Sequence, residues 1–95
     1  MRLRVSGEID MVTVGSLGDA LHVAVTDSDV AGIVVDFADV SFCDSSGIRV
    51  LDAAYAAATG RGLAFELVNL QPSVRRVFEI VGVLDALTKP RRDAG

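Results

Sequence analysis

The sequence is poor in the residue types from which most catalytic and metal sites are built. Its 95 residues include one cysteine, Cys43, and one histidine, His22. An internal disulfide is therefore impossible, and no Cys/His pair is spaced to bind zinc. The sequence also lacks a Gly-x-Ser-x-Gly nucleophile motif, a Gly-x-Gly-x-x-Gly motif and a Walker-type loop. These absences argue against a serine hydrolase, a zinc enzyme and a nucleotide-binding protein.

Positive charge and long apolar runs are also scarce. The formal net charge is −4, which gives no global basic surface for nucleic acid. No apolar stretch approaches the ~20 residues of a membrane helix, and the polar residues Ser6, Glu8 and Asp10 are unlike a signal peptide. Hydrophobic residues make up 51% of the chain, which indicates a folded globule. With a single cysteine, a reducing, cytoplasmic location is expected.

Hydrophobic periodicity predicts three strands that alternate with three helices. The strands are expected at 3–6, 32–37 and 63–68, with turns at Gly7–Asp10 and at 38–41. The helices are expected at 14–26, with Thr13 as N-cap, at 45–59, and from Pro72 to Gly82. This alternation favours a small, mainly parallel sheet in an α/β fold. One domain is predicted over residues 1–88, with Val83, Leu84 and Leu87 in a last short turn and residues 89–95 as a frayed tail.

Each predicted helix carries an apolar stripe that should face the sheet. The run at 32–37 is apolar throughout, which suits a central strand, and Glu66 places the last strand near an edge. Phe42 and Cys43 are expected to pack beneath the turn at 38–41. The stripes comprise Val14, Leu17, Leu21, Ala24 and Val25; then Ile48, Leu51, Tyr55 and Ala58; and finally Val74, Val77, Phe78 and Val81.

The segment Asp44-Ser45-Ser46 directly precedes the apolar positions of the second helix. An oxygen of Asp44 or Ser45 is well placed to accept from a free N–H two or three residues on. The positive end of the helix dipole and its unpaired N–H groups would also favour a phosphate on a serine there. The pattern alone is compatible with a simple helix start or with a regulatory serine.

Two blocks of sequence together resemble a known family. Gly7-Glu8-Ile9-Asp10 and Asp44-Ser45-Ser46-Gly47-Ile48 are similar, in order and spacing, to motifs of STAS-domain anti-anti-sigma factors, the anti-sigma factor antagonists. The resemblance extends through almost the whole chain and implies that all three helices lie on one face of the sheet. Members of the family usually have a further strand before the first block. Here that strand is shortened or missing, or the translation start is misplaced, which leaves a sheet edge less protected.

The resemblance also implies a function. In this family the protein binds an anti-sigma factor, a serine kinase related to histidine-kinase ATPases, and thereby frees a sigma factor for transcription. The kinase phosphorylates the serine after the aspartate, here Ser45, and a phosphatase, expected to be of the PP2C type, reverses the step. No cofactor, metal, direct nucleic-acid contact or membrane contact is implied. The expected contact residues are Glu8, Asp10, Asp44, Ser46, Gly47 and Arg49.

Several alternatives remain open from the sequence. Ser46 is an alternative phosphate acceptor, and Arg49, where family members often carry a small residue, could select a partner or pair with the phosphate. The protein could instead be a STAS subunit of a lipid-transport or stress-signalling assembly, in which Ser45 is never phosphorylated. An enzyme with Ser45 as nucleophile is another class, and Glu8, Asp10 and Asp44 could cluster around a cation.

Overall fold

The computed structural model describes residues 1–27 and 29–81. In this part the chain forms a three-stranded parallel sheet in the order β1-β2-β3, with helices between and after the strands. The elements are β1 (Arg2–Ile9), α1 (Val14–Thr26), β2 (Gly32–Cys43), α2 (Ser45–Gly60), β3 (Ala64–Val68) and α3 (Pro72–Val81). The predicted α/β fold with a parallel sheet is confirmed. The predictions for Gly82, Val83, Leu84, Leu87 and the tail at 89–95 fall outside the described residues.

The central strand β2 is twice as long as the apolar run that predicted it. The turn expected at 38–41 is wrong, because β2 continues to Cys43 and stays paired with β1. Its register moves from Arg4↔Asp36 to Ser6↔Asp39, so β2 carries one extra residue there. A second shift follows Gly7↔Val40. These irregularities, typical of β-bulges, let polar residues interrupt the apolar pattern without ending the strand.

The first strand also extends beyond its prediction. A turn was expected at Gly7–Asp10, but the strand runs to Ile9, and the chain turns at residues 10–13. Gly7 has a φ of +88°, a conformation that glycine adopts without a steric penalty. Within the described residues no strand lies beyond β1, so β1 forms one edge of the sheet and β3 the other, as Glu66 indicated.

All three helices cover the same face of the sheet. On that face Phe37 meets Phe78 of α3 edge-to-face at 6.3 Å between ring centroids, and Phe65 meets Tyr55 of α2 at 6.0 Å. The buried side chains of α1 belong to the same core cluster. Of the predicted helix stripes, Val14, Tyr55 and Val77 are half-buried and the Val81 side chain is not described; the other members are buried. None of the helices described is both long and apolar enough to cross a membrane.

The opposite face of the sheet carries a polar cluster that centres on Asp36. Its carboxylate accepts from the Ala38 amide at 2.9 Å, the Arg2 guanidinium at 2.7 Å and the Asn69 side chain at 3.2 Å. These donors, the Ala38 amide foremost, lower the pKa of Asp36 to about 2. The folded state therefore holds this carboxyl ionised more firmly than the unfolded chain does.

We expect Asp36→Asn to lower the melting temperature at neutral pH by several degrees. A carboxyl whose pKa is depressed on folding stabilises the protein above the unfolded pKa of about 4, and this contribution is lost as pH falls towards the folded value. The difference in melting temperature should therefore shrink between pH 4 and pH 2. Asp39→Asn is the control, since its contact with Arg4 is exposed and 3.6 Å long. A difference that stays constant across this range would contradict the assignment.

Candidate functional site

The start of α2 is fixed by Asp44. Its own N–H donates to the Ile9 carbonyl at 3.0 Å, which ties the end of β2 to the end of β1. Its side chain accepts from the Ser46 N–H at 2.9 Å, while its carbonyl accepts from Gly47 and Ile48. Of the two residues predicted as candidates, Asp44 and Ser45, Asp44 is the N-cap, which confirms the predicted cap. The cap satisfies helix N–H groups that would otherwise lack partners.

The two serines of the first turn differ in their surroundings. The Ser46 hydroxyl donates to the Asp44 carboxylate and is half-buried. Ser45 is exposed, and none of the described residues forms a hydrogen bond with its hydroxyl. Ser45 therefore presents an accessible oxygen at the positive end of α2, whereas the Ser46 oxygen is engaged with the cap.

Gly47 lies beneath this turn and is buried. A Cβ atom at this position would lie 2.5 Å from the Cys43 Sγ atom and 2.7 Å from the Ile9 Cγ2 atom. Both distances are shorter than real Cβ contacts, so only glycine fits without rearrangement. The contact role predicted for Gly47 does not agree with its burial; its role is to let α2 approach the ends of β1 and β2.

Arg49 is exposed one turn after Ser45. Arg49 forms no ion pair with Asp52, three residues further along α2, or with any other described residue. Its guanidinium is therefore free to meet a partner or a phosphate.

The turn at residues 10–13 lies at the same end of the sheet. The Asp10 carboxylate accepts from the N–H groups of Val12 at 2.9 Å and Thr13 at 3.0 Å. The Thr13 hydroxyl accepts from the Asp10 N–H at 3.0 Å and donates to the Glu8 carbonyl at 2.8 Å. Thr13 is the N-cap residue of α1, as predicted, but its hydroxyl bonds no helix N–H. The hydrogen bonds from the backbone N–H groups of Thr13, the stronger influence, and Val12 lower the pKa of the Asp10 carboxyl. The Asp10 carboxylate therefore stays ionised well below neutral pH.

Glu8 is exposed near the end of β1, and Phe42 lies opposite it on β2. The prediction that Phe42 packs inside is wrong, since its residue surface is 48% exposed. Met11 and Val12, on the neighbouring turn, are 83% and 91% exposed. Sequence reasoning missed these three side chains; the available signal was the apolar pair Met11-Val12 in a turn, where polar residues are usual.

The single cysteine and the single histidine lie on different elements, β2 and α1. Cys43 is buried, as predicted, and burial first, then the Asp44 carboxylate, raises its thiol pKa to about 11. His22 is exposed on α1. Across residues 1–27 and 29–81, no three His, Cys, Asp or Glu side chains come together as metal ligands, and Glu8, Asp10 and Asp44 do not form a cation site.

Most of the chain is similar in sequence to known proteins. The STAS domain family model matches residues 1–93. The anti-sigma-F factor antagonist RsfB of Mycobacterium tuberculosis is 32% identical over 81 residues, covering 85% of this chain and 65% of RsfB. This chain thus spans a little under two thirds of the length of RsfB. The anti-sigma-B factor antagonist of Listeria monocytogenes is 31% identical over 83 residues, covering 87% of this chain and 72% of the relative.

Two solved structures have the same fold. The anti-sigma factor antagonist SpoIIAA in its unphosphorylated form superposes with a TM-score of 0.68 and 26% identity, covering 83% of this chain and 72% of SpoIIAA. The Bacillus cell fate determinant SpoIIAA in its phosphorylated form superposes with a TM-score of 0.71 and 25% identity, covering 97% of this chain and 82% of the SpoIIAA chain. Both forms of SpoIIAA therefore share the fold of this chain.

Proposed function

The chain belongs to the STAS domain family, and from this premise we propose that it is an anti-sigma factor antagonist switched by phosphorylation of Ser45. The unmodified protein binds an anti-sigma factor and so frees a sigma factor. The phosphorylated protein releases the anti-sigma factor. The relatives named as antagonists of anti-sigma factors support the class of partner.

The accessibility of the Ser45 hydroxyl is the single observation that carries this proposal. Ser45 is exposed at the start of α2, while the neighbouring Ser46 hydroxyl is held by Asp44. A kinase must bring the γ-phosphate into line with the attacking oxygen, and Ser45 allows this approach without unfolding the helix. The proposed contact surface comprises Glu8, Asp44, Ser46 and Arg49. Asp10 and Gly47, the other two residues of the predicted set, support this surface through the turn at residues 10–13 and the packing of α2.

The electrostatics of the helix start suit a switch that leaves the fold intact. A phosphate adds about −1.5 to −2 charges and three strong acceptors, and the N–H groups and dipole of α2 stabilise negative charge there. For a docked partner the same charge adds bulk and repulsion beside the carboxylates of Asp44 and Glu8. A loss of about 3 kcal/mol in binding free energy would weaken the complex more than a hundredfold.

The other components of the proposal follow from the family. The partner is a serine kinase of the histidine-kinase-like ATPase type, and a PP2C-type phosphatase restores the hydroxyl. The protein acts in the cytoplasm as a binding module without enzymatic activity of its own. Arg49, free and one turn from Ser45, is the residue best placed to discriminate between anti-sigma factors or to pair with the phosphate.

Phosphate mapping tests the assignment of Ser45. The protein is incubated with ATP and each purified anti-sigma factor kinase of its own organism, and the modified residue is located by mass spectrometry. We expect phosphate on Ser45, full labelling of Ser46→Ala and no labelling of Ser45→Ala. Phosphate on Ser46 would show that Ser46, and not Ser45, is the phosphorylated residue of the switch. No labelling by any kinase would favour a STAS subunit of a larger assembly without a phosphorylation switch.

A further inference from the structure

Exposed apolar side chains are concentrated beside the proposed switch. The residues that the structure describes include five exposed large hydrophobic side chains, and three of them lie at the carboxyl ends of β1 and β2. Met11 is 83%, Val12 91% and Phe42 48% exposed. The other two, Met1 and Val23, lie at the chain start and on α1. Exposed apolar side chains scattered singly are ordinary, but a group at one end of a domain marks an interaction site.

The three side chains lie within reach of the same partner as Ser45. Phe42 precedes Ser45 by three residues, so their Cα atoms are at most about 11 Å apart. Ile9 pairs with Cys43, on a strand about 4.8 Å away, and Met11 follows Ile9 by two residues. A protein large enough to phosphorylate Ser45 would cover all of these positions.

The turn that carries Met11 and Val12 is held in one conformation by its own polar groups. The Asp10 carboxylate accepts from two successive N–H groups, and the Thr13 hydroxyl closes the turn against Glu8. A turn braced in this way loses little conformational entropy when a partner binds. The Asp10 carboxylate is occupied within the turn, so its role differs from that of Glu8, whose side chain is exposed.

We propose that Met11, Val12 and Phe42 form an apolar docking patch for the anti-sigma factor kinase, and that Asp10 is a positioning residue that presents this patch. The inference rests on the proposed function and deepens it. The complementary surface of the kinase is an apolar depression, and the carboxylates of Glu8 and Asp44 lie at the border of the patch. The same carboxylates disfavour an anionic membrane as the occupant.

The docking patch and Ser45 therefore have separate roles in recognition of the kinase. A few well-packed side chains supply most of the binding free energy of an interface, and phosphorylation of Ser45 does not alter those of Met11, Val12 and Phe42. Ser45 contributes the sensitivity to charge. A kinase that docks on the patch holds its substrate serine near the γ-phosphate, so loss of the patch should raise KM and leave kcat nearly unchanged.

Binding of the purified anti-sigma factor kinase, chosen as the one that labels the wild-type protein, tests the patch. We expect Met11→Ser/Val12→Ser and Phe42→Ser each to weaken binding about tenfold or more and to raise KM for Ser45 phosphorylation by a similar factor. Val23→Ser is the matched control, because Val23 is 63% exposed on α1; its affinity should stay within about twofold of the wild type. Circular dichroism and thermal melting verify that each variant is folded.

Two Asp10 variants separate positioning from charge. Asp10→Ala removes the acceptor of both amides, so binding should weaken and hydrogen exchange of the Val12 and Thr13 amides should accelerate. Asp10→Asn keeps one acceptor oxygen and should restore most of the affinity. Equal losses for both variants would show that the Asp10 charge contacts the kinase directly, which overturns the positioning role.

The outcomes distinguish this inference from the proposed function. Patch variants that bind like the wild type, while Ser45→Asp no longer binds, would overturn the docking patch and leave the switch intact. Undiminished binding of Ser45→Asp would overturn the switch itself. Labelling of the wild type by none of the kinases would remove the basis of both.

Discussion

Ser45→Asp is expected to bind the anti-sigma factor more than a hundredfold more weakly than the wild type, while its fold is unchanged. The substituted carboxylate lies at the start of α2, where the helix dipole accommodates it, and beside Asp44, where it adds charge repulsion to the contact surface. A loss of about 3 kcal/mol in binding free energy corresponds to this factor. Titration of the purified anti-sigma factor by calorimetry measures it directly.

Two control variants isolate the effect of charge at this position. Ser45→Ala removes the hydroxyl without adding charge and should bind like the wild type. Ala31→Asp adds a carboxylate at an exposed bend before β2, at the opposite end of the parallel sheet, and should also bind like the wild type. If Ala31→Asp weakened binding as much as Ser45→Asp, the cause would be net charge and not the position of Ser45.

Gly47→Ala is expected to destabilise the protein although alanine is the better helix former. The added Cβ would lie 2.5 Å from the Cys43 Sγ atom and 2.7 Å from the Ile9 Cγ2 atom. Overpacking of this kind costs about 1–3 kcal/mol, against a gain of about 1 kcal/mol in helix propensity. We therefore expect a net loss of up to about 2 kcal/mol in the free energy of unfolding. In a domain of this size, a loss of about 2 kcal/mol lowers the melting temperature by roughly 8–16 °C.

Gly60→Ala is the matched control for this substitution. Gly60 is the last residue of the same helix, and a Cβ there would meet no atom within 4 Å. This variant should melt at or above the wild-type temperature. Cys43→Ala, which removes the Sγ atom, should relieve part of the clash, so the double variant should be more stable than additivity of the single variants predicts. Additive effects would show that the Gly47 contact is not the cause.

The helices could be predicted from the sequence because their signals are local. The apolar stripe of α1 predicted both ends of this helix, and the polar triplet at Asp44 predicted the start of α2 together with its N-cap. Alternation of strands and helices was enough to predict the parallel sheet. For these elements local propensity and tertiary packing favour the same structure.

The strands were harder to predict because their length depends on pairing. Polar Ser41 and Asp39 suggested a turn, but the long-range pairing with β1 keeps β2 extended through two register shifts. Strand formation at such positions is decided by the partner strand and not by the residue itself. For the same reason the strand character of Gly7 and Glu8 was missed, since the family-like block resembles a turn when taken alone.

The site was only partly predictable for a related reason. The family resemblance singled out Ser45, and the polar triplet at Asp44 placed it in the first turn of α2. The exposure of Phe42 did not follow from the sequence, because whether an apolar residue at a strand end is covered depends on which elements pack over it. Thr13 likewise had the sequence of an N-cap, yet its hydroxyl bonds Glu8 and Asp10 across the turn.

The affinity of one anti-sigma factor for two forms of the same protein tests the central claim most directly. The wild type is phosphorylated on Ser45 by its kinase, separated from the unmodified protein and titrated beside it. A dissociation constant more than a hundredfold larger for the phosphorylated form, with backbone NMR shifts changed only around the start of α2, is the predicted result. Equal dissociation constants for the two forms would contradict it.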